Sequence, residues 1–504
     1  MNINKVLLLS DSFKESISSY EIKNIGEEIF QKCNIDIEAH CIADGGEGTV
    51  DFFIREMNYQ KVYVKSYNAF LKEIDTYYAY NELTDTAVFD SAQIVGFLVN
   101  EKLDIMHAST YGIGLVLKEI IQKGIKNIYI GLGGSITNDG GSGMLQALGA
   151  KFYKDDFLVD FRKTPFEIAN KVDFSLVFEL FQGIKLFILS DVINPLIGPM
   201  GATAIFSKQK GASISEQKVL ENWMIRYSKL FKTNVNTKGS GAAGGLGFAL
   251  IECGGIIKEG IDVILEELNI QNSIDEHTLV ITGEGKLDET SFQGKVVGKI
   301  ISLLENHNHH LAIICGINEI ENCEYKIYPM HLSKVSNYKE TVKDDLNRVF
   351  HQIIKDYFIN QDKVKAILVD KDNPIYKSIR EEVFVIEQQI DYNEEFDEWE
   401  DSCQHYILAF NDINVGAFRL RRVSQEIMKL ERVVILKDYR GLDLGKILIK
   451  KSLQLIAEQN YHQVLIHAQK VSQKFYEKCG FIALGDYFLE ANIEHILMQK
   501  KLEK

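Results

Sequence analysis

Ile128–Ala150, IYIGLGGSITNDGGSGMLQALGA, decides how this chain is read. A β-branched and aromatic run enters a loop crowded with glycine and leaves it as the helical sequence MLQALGA. A strand that passes through glycines into a helix presents backbone N–H groups and the positive end of a helix dipole, which together hold an anion without a lysine. Gly133, Gly134 and Ser135 are therefore candidate phosphate-binding positions. Asn138 and Asp139 either add a polar or metal contact or cap the turn. No G-x-x-x-x-G-K-[ST] occurs anywhere, so the loop is not a P-loop.

Working outward, glycines recur beside acids in DGGEGT (Asp44–Thr49), GSGAAGGLG (Gly239–Gly247) and GEGKLDETSFQGK (Gly283–Lys295). Such clusters mark backbone that turns sharply or approaches a ligand closely. Set beside Asp, Asn and Lys, they point to a phosphorylated, metal-bound ligand. Short apolar runs at Val6–Leu9, Thr86–Phe89, Asn127–Ile130, Lys185–Leu189, Thr278–Ile281 and His310–Cys315 alternate with helical patterns. That alternation predicts parallel α/β sheets with ligands at the carboxyl ends of their strands. Gly239, Gly241 and Gly244 fit G-x-G-x-x-G, yet the preceding TNVNTK is no buried strand and no acidic ribose partner is placed, so a nicotinamide site is not expected.

At 504 residues the chain exceeds one hydrophobic core, and a prior of roughly 150 residues per domain gives about three. A hydrophobic share of 46% and a charged share of 25% are those of an ordinary globular protein. No apolar stretch has transmembrane length, and Val6–Leu9, followed at once by Asp11, reads as a first strand rather than a leader. Seven scattered cysteines without a C-x-x-C pair argue against a disulfide framework and for a reducing cytoplasm. A net charge of −15 disfavours nucleic acid and anionic membranes as partners. The break near Phe358–Lys363 marks a boundary: residues 1–358, a linker at 359–363, and residues 364–504.

The first region resembles the type-1 glycerate kinase family. The resemblance rests on DSFKES at Asp11–Ser16, ADGGEGTVD at Ala43–Asp51, the Gly131–Ala150 loop, DVINPLIGPMGA at Asp191–Ala202, FSKQKGA at Phe206–Ala212, GSGAAGGLG and GEGKLD. It implies ATP-dependent, magnesium-assisted phosphorylation of glycerate, the 2-hydroxyl favoured, on a flavodoxin-like lobe and a restriction-endonuclease-like lobe, the latter built from both ends of the region. Phosphoryl transfer asks for positioning and charge neutralisation. Lys14 and Lys295 are candidates to neutralise phosphate or the glycerate carboxylate, or are exposed surface lysines. Asp191 is a candidate to accept the hydroxyl proton, or a turn residue ahead of Asn194 and Pro195. Asp11, Ser12, Asp44, Gly45, Gly46, Glu47, Asn194, Gly283, Glu284 and Asp288 are candidate substrate or phosphate contacts, with Asp44, Glu47 and Asp288 as magnesium ligands. Ile193, Lys286, Thr290 and Ser291 depart from the family's DVDNP and GEGRLDxQT patterns.

The second region resembles a GNAT-type N-acetyltransferase, a mixed α/β fold, through VFVIEQQI at Val383–Ile390, LERVVILKDYRGLDLG at Leu430–Gly445 and HAQKVSQKFYEKCGF at His467–Phe481. The resemblance implies an acetyl-CoA site whose pyrophosphate is wrapped by Arg440, Gly441, Leu442, Asp443, Leu444 and Gly445. Asp443 stands where the family has glycine, and a carboxylate beside a pyrophosphate is expected to weaken the coenzyme. Tyr476 matches the acid that protonates the departing thiolate. Glu431 is a candidate to take the proton of an amine acceptor through water. The acidic run Asp391–Asp401 is expected to be a solvated loop, or a mouth that attracts a cationic amine. His307, His309 and His310 read as a surface turn. Rival readings are a C-terminal module that only binds or regulates, and a kinase region that only senses a sugar acid. The acceptor is not specified by the sequence, and a homo-oligomer is left open.

Overall fold

The computed structural model describes residues 3–13, 16–42, 48–97, 104–160, 164–292, 295–305, 310–330, 338–360 and 362–502. Lys14, Asp44, Gly45, Gly46, Glu47, His307 and His309 lie outside them. Each of the six apolar runs forms a strand. KVLLLS of Lys5–Ser10 is buried almost throughout, as a parallel strand covered on both faces must be.

The first sheet has five parallel strands in the spatial order Asp36–Cys41, Lys5–Ser10, Thr278–Leu287, His310–Asn318, Lys326–Pro329. Counted along the chain this is 2-1-3-4-5, the flavodoxin-like doubly wound order. It is thus the flavodoxin-like lobe that is built from both ends of the region, and the sequence expectation had the two lobes reversed. The inserted lobe carries a mixed sheet ordered Ile256–Lys258, Lys185–Leu189, Asn127–Gly131, Thr86–Asp90, Glu73–Asn81, Gln60–Tyr67, the first four parallel and the last two antiparallel.

The Gly239–Gly247 stretch packs backbone against backbone. Gly244 has φ 68, and a Cβ there would lie 2.0 Å from the Thr137 carbonyl oxygen. Its own carbonyl accepts the Gly140 N–H at 3.1 Å. These glycines seat one loop on another rather than cradle a dinucleotide.

The third sheet runs Val364–Val369, Cys403–Phe410, Ile413–Arg422, Ile427–Ile435, Gln463–Gln469, Ile493–Lys501, Ile482–Glu490. Its one parallel pair, Ile427–Ile435 with Gln463–Gln469, is in register only from Ile427↔Gln463 to Lys429↔Leu465. Beyond Lys429 the strands splay and leave a gap between them. Pairing lost there exposes backbone that a bound ligand can satisfy.

Helix Tyr338–Tyr357 crosses over helix Ser19–Lys32, with Phe30 edge-on to both Phe350 and Phe358 at centroid distances of 5.7 and 6.1 Å. The third sheet joins this pair by side chains: Asn34 Nδ2 donates to the Asn411 carbonyl and Asn411 Nδ2 to the Cys33 carbonyl, each at 3.0 Å. Among the described residues no helix is long and apolar enough to cross a membrane.

Candidate active sites

Register brings the kinase-region candidates to one sheet edge. Ser10 pairs with Gly283 on one side and Cys41 on the other, so Asp11 leaves the sheet beside Glu284 of the neighbouring strand. The Asp11 N–H donates to the Gly283 carbonyl at 3.2 Å, and Asp11 Oδ1 accepts the Ser12 N–H at 2.6 Å. Glu284 Oε2 lies 3.7 Å from Lys295 Nζ, while its Oε1 is buried without a hydrogen-bond partner. Burial raises the Glu284 carboxyl above its ordinary range. A buried carboxylate oxygen without a hydrogen-bond partner suits a hard cation or a substrate hydroxyl. Asp288 is held below its ordinary value, chiefly by the Thr290 hydroxyl at 2.6 Å. The departure at Thr290 thus supplies a donor to its neighbouring acid.

The second sheet meets this edge through Asp90, whose Oδ2 accepts the Gly48 and Val50 N–H groups at 3.1 and 3.2 Å. Asp90, Gly131 and Leu189 are register partners, so the loops after Gly131 and Leu189 leave side by side. Asp191 is exposed, and Asn194 Nδ2 donates to the Met200 carbonyl at 2.8 Å. Gly134 is exposed at the loop tip, Gly133 is half-buried, and Ser135 is buried beneath. Asp139 does not face the cleft. It is 2% exposed and accepts four bonds, from the Thr110, Gly141 and Gly143 N–H groups and the Thr110 hydroxyl. Asn138, also buried, donates through Nδ2 to Thr203 Oγ1 at 3.2 Å. Asp139 is an internal brace of the loop, because a buried carboxylate is stable only where donors converge on it, while Asn138 is tied to Thr203 with its Oδ1 buried and without a hydrogen-bond partner.

Sequence reasoning passed over Lys210 within FSKQKGA. Its ammonium is buried and donates to Ser135 Oγ at 3.2 Å and the Thr137 carbonyl at 2.8 Å. Burial pushes its pKa down to about 7. Lys210 braces the same loop from below.

Among the described residues no three His, Cys, Asp or Glu side chains gather to hold a metal. The carboxylates available for magnesium in the described cleft are Glu284 and Asp288, and the bare Glu284 Oε1 fits that use.

In the third sheet, the splayed strands open onto a cavity of ≈ 150 Å³ lined by Glu431, His467, Tyr476, Glu490 and His495 among others. Tyr476 packs edge-on to Phe475 and Phe481, and burial raises its phenol, which keeps the proton an acid must give. Glu431 lies 2.9 Å from Lys429, 3.0 Å from Arg419 and 3.2 Å from Arg421. Although burial opposes it, these cations hold its carboxyl at about 2, so Glu431 is a poor proton acceptor. His467 is better placed: its Nδ1 is 2.5 Å from Glu490 Oε2. Lys429 Nζ lies 3.2 Å from the same nitrogen, so a carboxylate and an ammonium both meet the ring at Nδ1 and Nε2 is the ring nitrogen left for an acceptor amine. Only distant sequence positions meet here, so no local motif announced the pair.

The acidic run is solvated only in part: Asp391, Glu394, Glu398 and Asp401 are exposed, while three other carboxylates turn inward. Glu395 and Arg380 are 1% and 0% exposed and 2.5 Å apart, Glu400 lies 2.6 Å from Arg419 and 2.9 Å from Arg380, and Asp397 binds Arg419 and Arg432 at 2.6 and 3.1 Å. Three of its carboxylates are consumed internally.

Arg440 forms a bidentate pair with Glu387 at 2.5 and 2.6 Å. Gly441, with φ 84, and Asp443, with φ 58, shape the turn into helix Leu444–Glu458. Leu442 and Leu444 are buried under it, and Gly445 lies in the first turn with its Cα facing Phe475.

Residues 6–354 match the glycerate kinase family, and residues 370–502 match the GNAT acetyltransferase domain. The chain is similar to the glycerate 2-kinase of Escherichia coli K12, 33% identical over 62% of this chain and 85% of that one. A glycerate kinase of Halalkalibacterium halodurans is 30% identical over 62% and 86%. A crystal structure named for glycerate kinase 2 of Salmonella typhimurium LT2 superposes with a TM-score of 0.60 at 28% identity, over 70% of this chain and 98% of that one. Family match, doubly wound order and converging strand ends agree: the chain belongs to the glycerate kinase family and carries a GNAT acetyltransferase domain behind the kinase region.

Proposed function

We propose that residues 1–358 transfer the γ-phosphoryl group of ATP to glycerate, favouring its 2-hydroxyl, and that residues 364–504 beyond the 359–363 linker transfer an acetyl group from acetyl-CoA to an amine. The observation that carries the kinase reading is the bare, buried Glu284 Oε1 beside Lys295 at the strand edge it shares with Asp11. Asp191, exposed after strand Lys185–Leu189 of the second sheet, takes the proton of the glycerate hydroxyl as that oxygen attacks the γ-phosphorus and ADP departs. Lys295 and Lys14 offset the phosphate and carboxylate charge. Glu284 and Asp288, together with Asp44 and Glu47, would hold magnesium, which would supply charge neutralisation for the phosphoryl group. The loop at Gly133 and Gly134 offers amides to the phosphates.

For acetyl transfer, an ammonium of pKa about 10 must first lose a proton. His467 Nε2, oriented by Glu490, takes it. The free amine attacks the thioester carbonyl, the C–S bond breaks, and Tyr476 protonates the leaving thiolate. The free cysteines suit a reducing cytoplasm.

Phosphorus NMR of the purified chain with ATP, magnesium and D-glycerate tests the kinase. A phosphoglycerate resonance that Asp191→Asn fails to produce supports the assignment and names the hydroxyl; a folded chain that makes none refutes it. For the second site, with an amine acceptor found by screening for coenzyme A release, His467→Ala is expected to lower kcat by about 10²-fold or more. Glu431→Gln should leave the acid limb of the pH profile, which reports the base, in place, and an unchanged His467→Ala rate would return the base role to another group.

A further inference from the structure

Asp443 is the residue least suited to a pyrophosphate loop, and its surroundings explain how it is tolerated. It sits at the N-terminal boundary of helix Leu444–Glu458 in the left-handed region, which Asp adopts more readily than most residues. An aspartate there ordinarily caps the helix, yet Asp443 makes no side-chain bond to the first-turn amides. Its carboxylate turns away instead. Oδ2 lies 2.7 Å from Lys355 Nζ and Oδ1 lies 3.2 Å from Lys446 Nζ. Lys446 belongs to the same helix, but Lys355 belongs to helix Tyr338–Tyr357 of the kinase region. Burial would raise the Asp443 carboxyl, and the two lysines outweigh it and hold the group ionised.

Further bonds fix the same loop to the kinase region. The Tyr439 hydroxyl donates to the Lys32 carbonyl at 3.0 Å, and Lys32 Nζ lies 3.6 Å from Asp438. Between the two helices and the loop lies a cleft of ≈ 640 Å³ whose lining includes Lys343, Arg348, Lys437, Arg440 and Gly441. The kinase region contributes Lys343 and Arg348 to this lining and the loop contributes Lys437 and Arg440, with Glu28 and Asp438 among them.

We propose that the kinase region completes the coenzyme site: Lys355 neutralises Asp443 and holds its carboxylate off the helix amides, leaving them open to the pyrophosphate of acetyl-CoA. Lys355 is a positioning residue. Without it, one carboxylate oxygen loses its partner, and the side chain can swing onto the amides it leaves free or stand as a like charge beside the phosphates. This inference rests on the acetyl-CoA reading above and adds what the fusion contributes to it.

The test is acetyl-CoA binding by titration calorimetry on the full chain, in wild type, Lys355→Met, Lys355→Arg, Asp443→Gly and the Lys355→Met/Asp443→Gly pair. Lys355→Met should weaken binding roughly tenfold, the scale of one uncompensated charge near an anion. Lys355→Arg should retain affinity. Asp443→Gly should bind at least as tightly as wild type, and in that background Lys355→Met should cost little, a non-additivity a merely structural lysine does not show. Unchanged affinity in Lys355→Met, or an equal loss in both backgrounds, overturns the proposal while leaving the acetyl-CoA reading intact. No binding by wild type and Asp443→Gly alike overturns both. Kinase turnover, unaltered by Lys355→Met, reports that the chain remains folded.

Discussion

Asp139 and Asp443 occupy equivalent places, each in a glycine-containing loop between a strand and a helix. Asp139 lies between Asn127–Gly131 and Ser142–Leu148; Asp443 follows Ile427–Ile435 and precedes Leu444–Glu458. After Asp139 the chain takes left-handed turns at Gly140 and Gly141, φ 62 and 73, which fold the following amides back over the carboxylate. Asp443 takes the left-handed turn itself, and its side chain points away from the helix it precedes. One aspartate is consumed within its own domain, by its loop and by Thr110, and the other is presented to a neighbouring domain. A loop's composition therefore suggests that an anion can be held there, but the position of the left-handed residue decides which groups remain free to hold it.

The largest expected effect comes from breaking the internal brace. Asp139→Ala leaves three buried N–H groups and the Thr110 hydroxyl without their acceptor, and at about 1–3 kcal/mol for an unsatisfied buried group, with partial relaxation, a loss of about 4 kcal/mol is expected. Urea unfolding followed by Trp223, which packs edge-on to Phe166 in the kinase region, should show the midpoint drop, with phosphoryl transfer falling alongside it. Asp443→Ala should cost about 1 kcal/mol or less, the scale of a surface ion pair. Equal losses in the two variants would erase the distinction between brace and presenter.

How far the sequence carried depended on whether partners were local. Strand, loop and helix at Ile128–Ala150 were readable because β-branched residues, glycines and helix formers follow one another in the order the fold uses them. The alternating runs also announced parallel sheets, although which lobe is interrupted depended on strand order, a long-range property. GSGAAGGLG looked like a ligand turn because glycine serves close approach of any kind, and here the approaching group is the Thr137 carbonyl. The acidic run Asp391–Asp401 looked solvated because its cations, Arg380, Arg419 and Arg432, lie elsewhere in the sequence. Lys210 is typical: a lysine in a glycine-flanked run gives no sign of burial until the helices around it are placed. Glu431 failed as a base largely for the same reason: Arg419 and Arg421 meet it only through strand pairing, while Lys429 stands two residues before it on the same strand.

The smallest effect is also the most discriminating, because the two aspartates should respond to pH with opposite sign. Burial raises Asp139 above the ordinary carboxyl value even though four hydrogen bonds oppose it. The folded chain then holds a proton that the unfolded chain has released, so the contribution of Asp139 is fullest in acid and declines as pH climbs through the folded value. At Asp443 burial acts the same way, but Lys355 and Lys446 outweigh it and lower the carboxyl. Its contribution is present above the ordinary carboxyl value and is lost as pH falls through the lowered one. Trp223 and Trp399 are the chain's two tryptophans, one in each domain. Trp399→Phe and Trp223→Phe backgrounds therefore report each unfolding transition separately, which two-state treatment of a multidomain chain requires. Wild type minus Asp139→Asn should shrink with rising pH in the kinase transition, and wild type minus Asp443→Asn should grow in the other. Slopes of the same sign would mean that the lysines do not govern Asp443, and the comparison between the loops would fail where it is most specific.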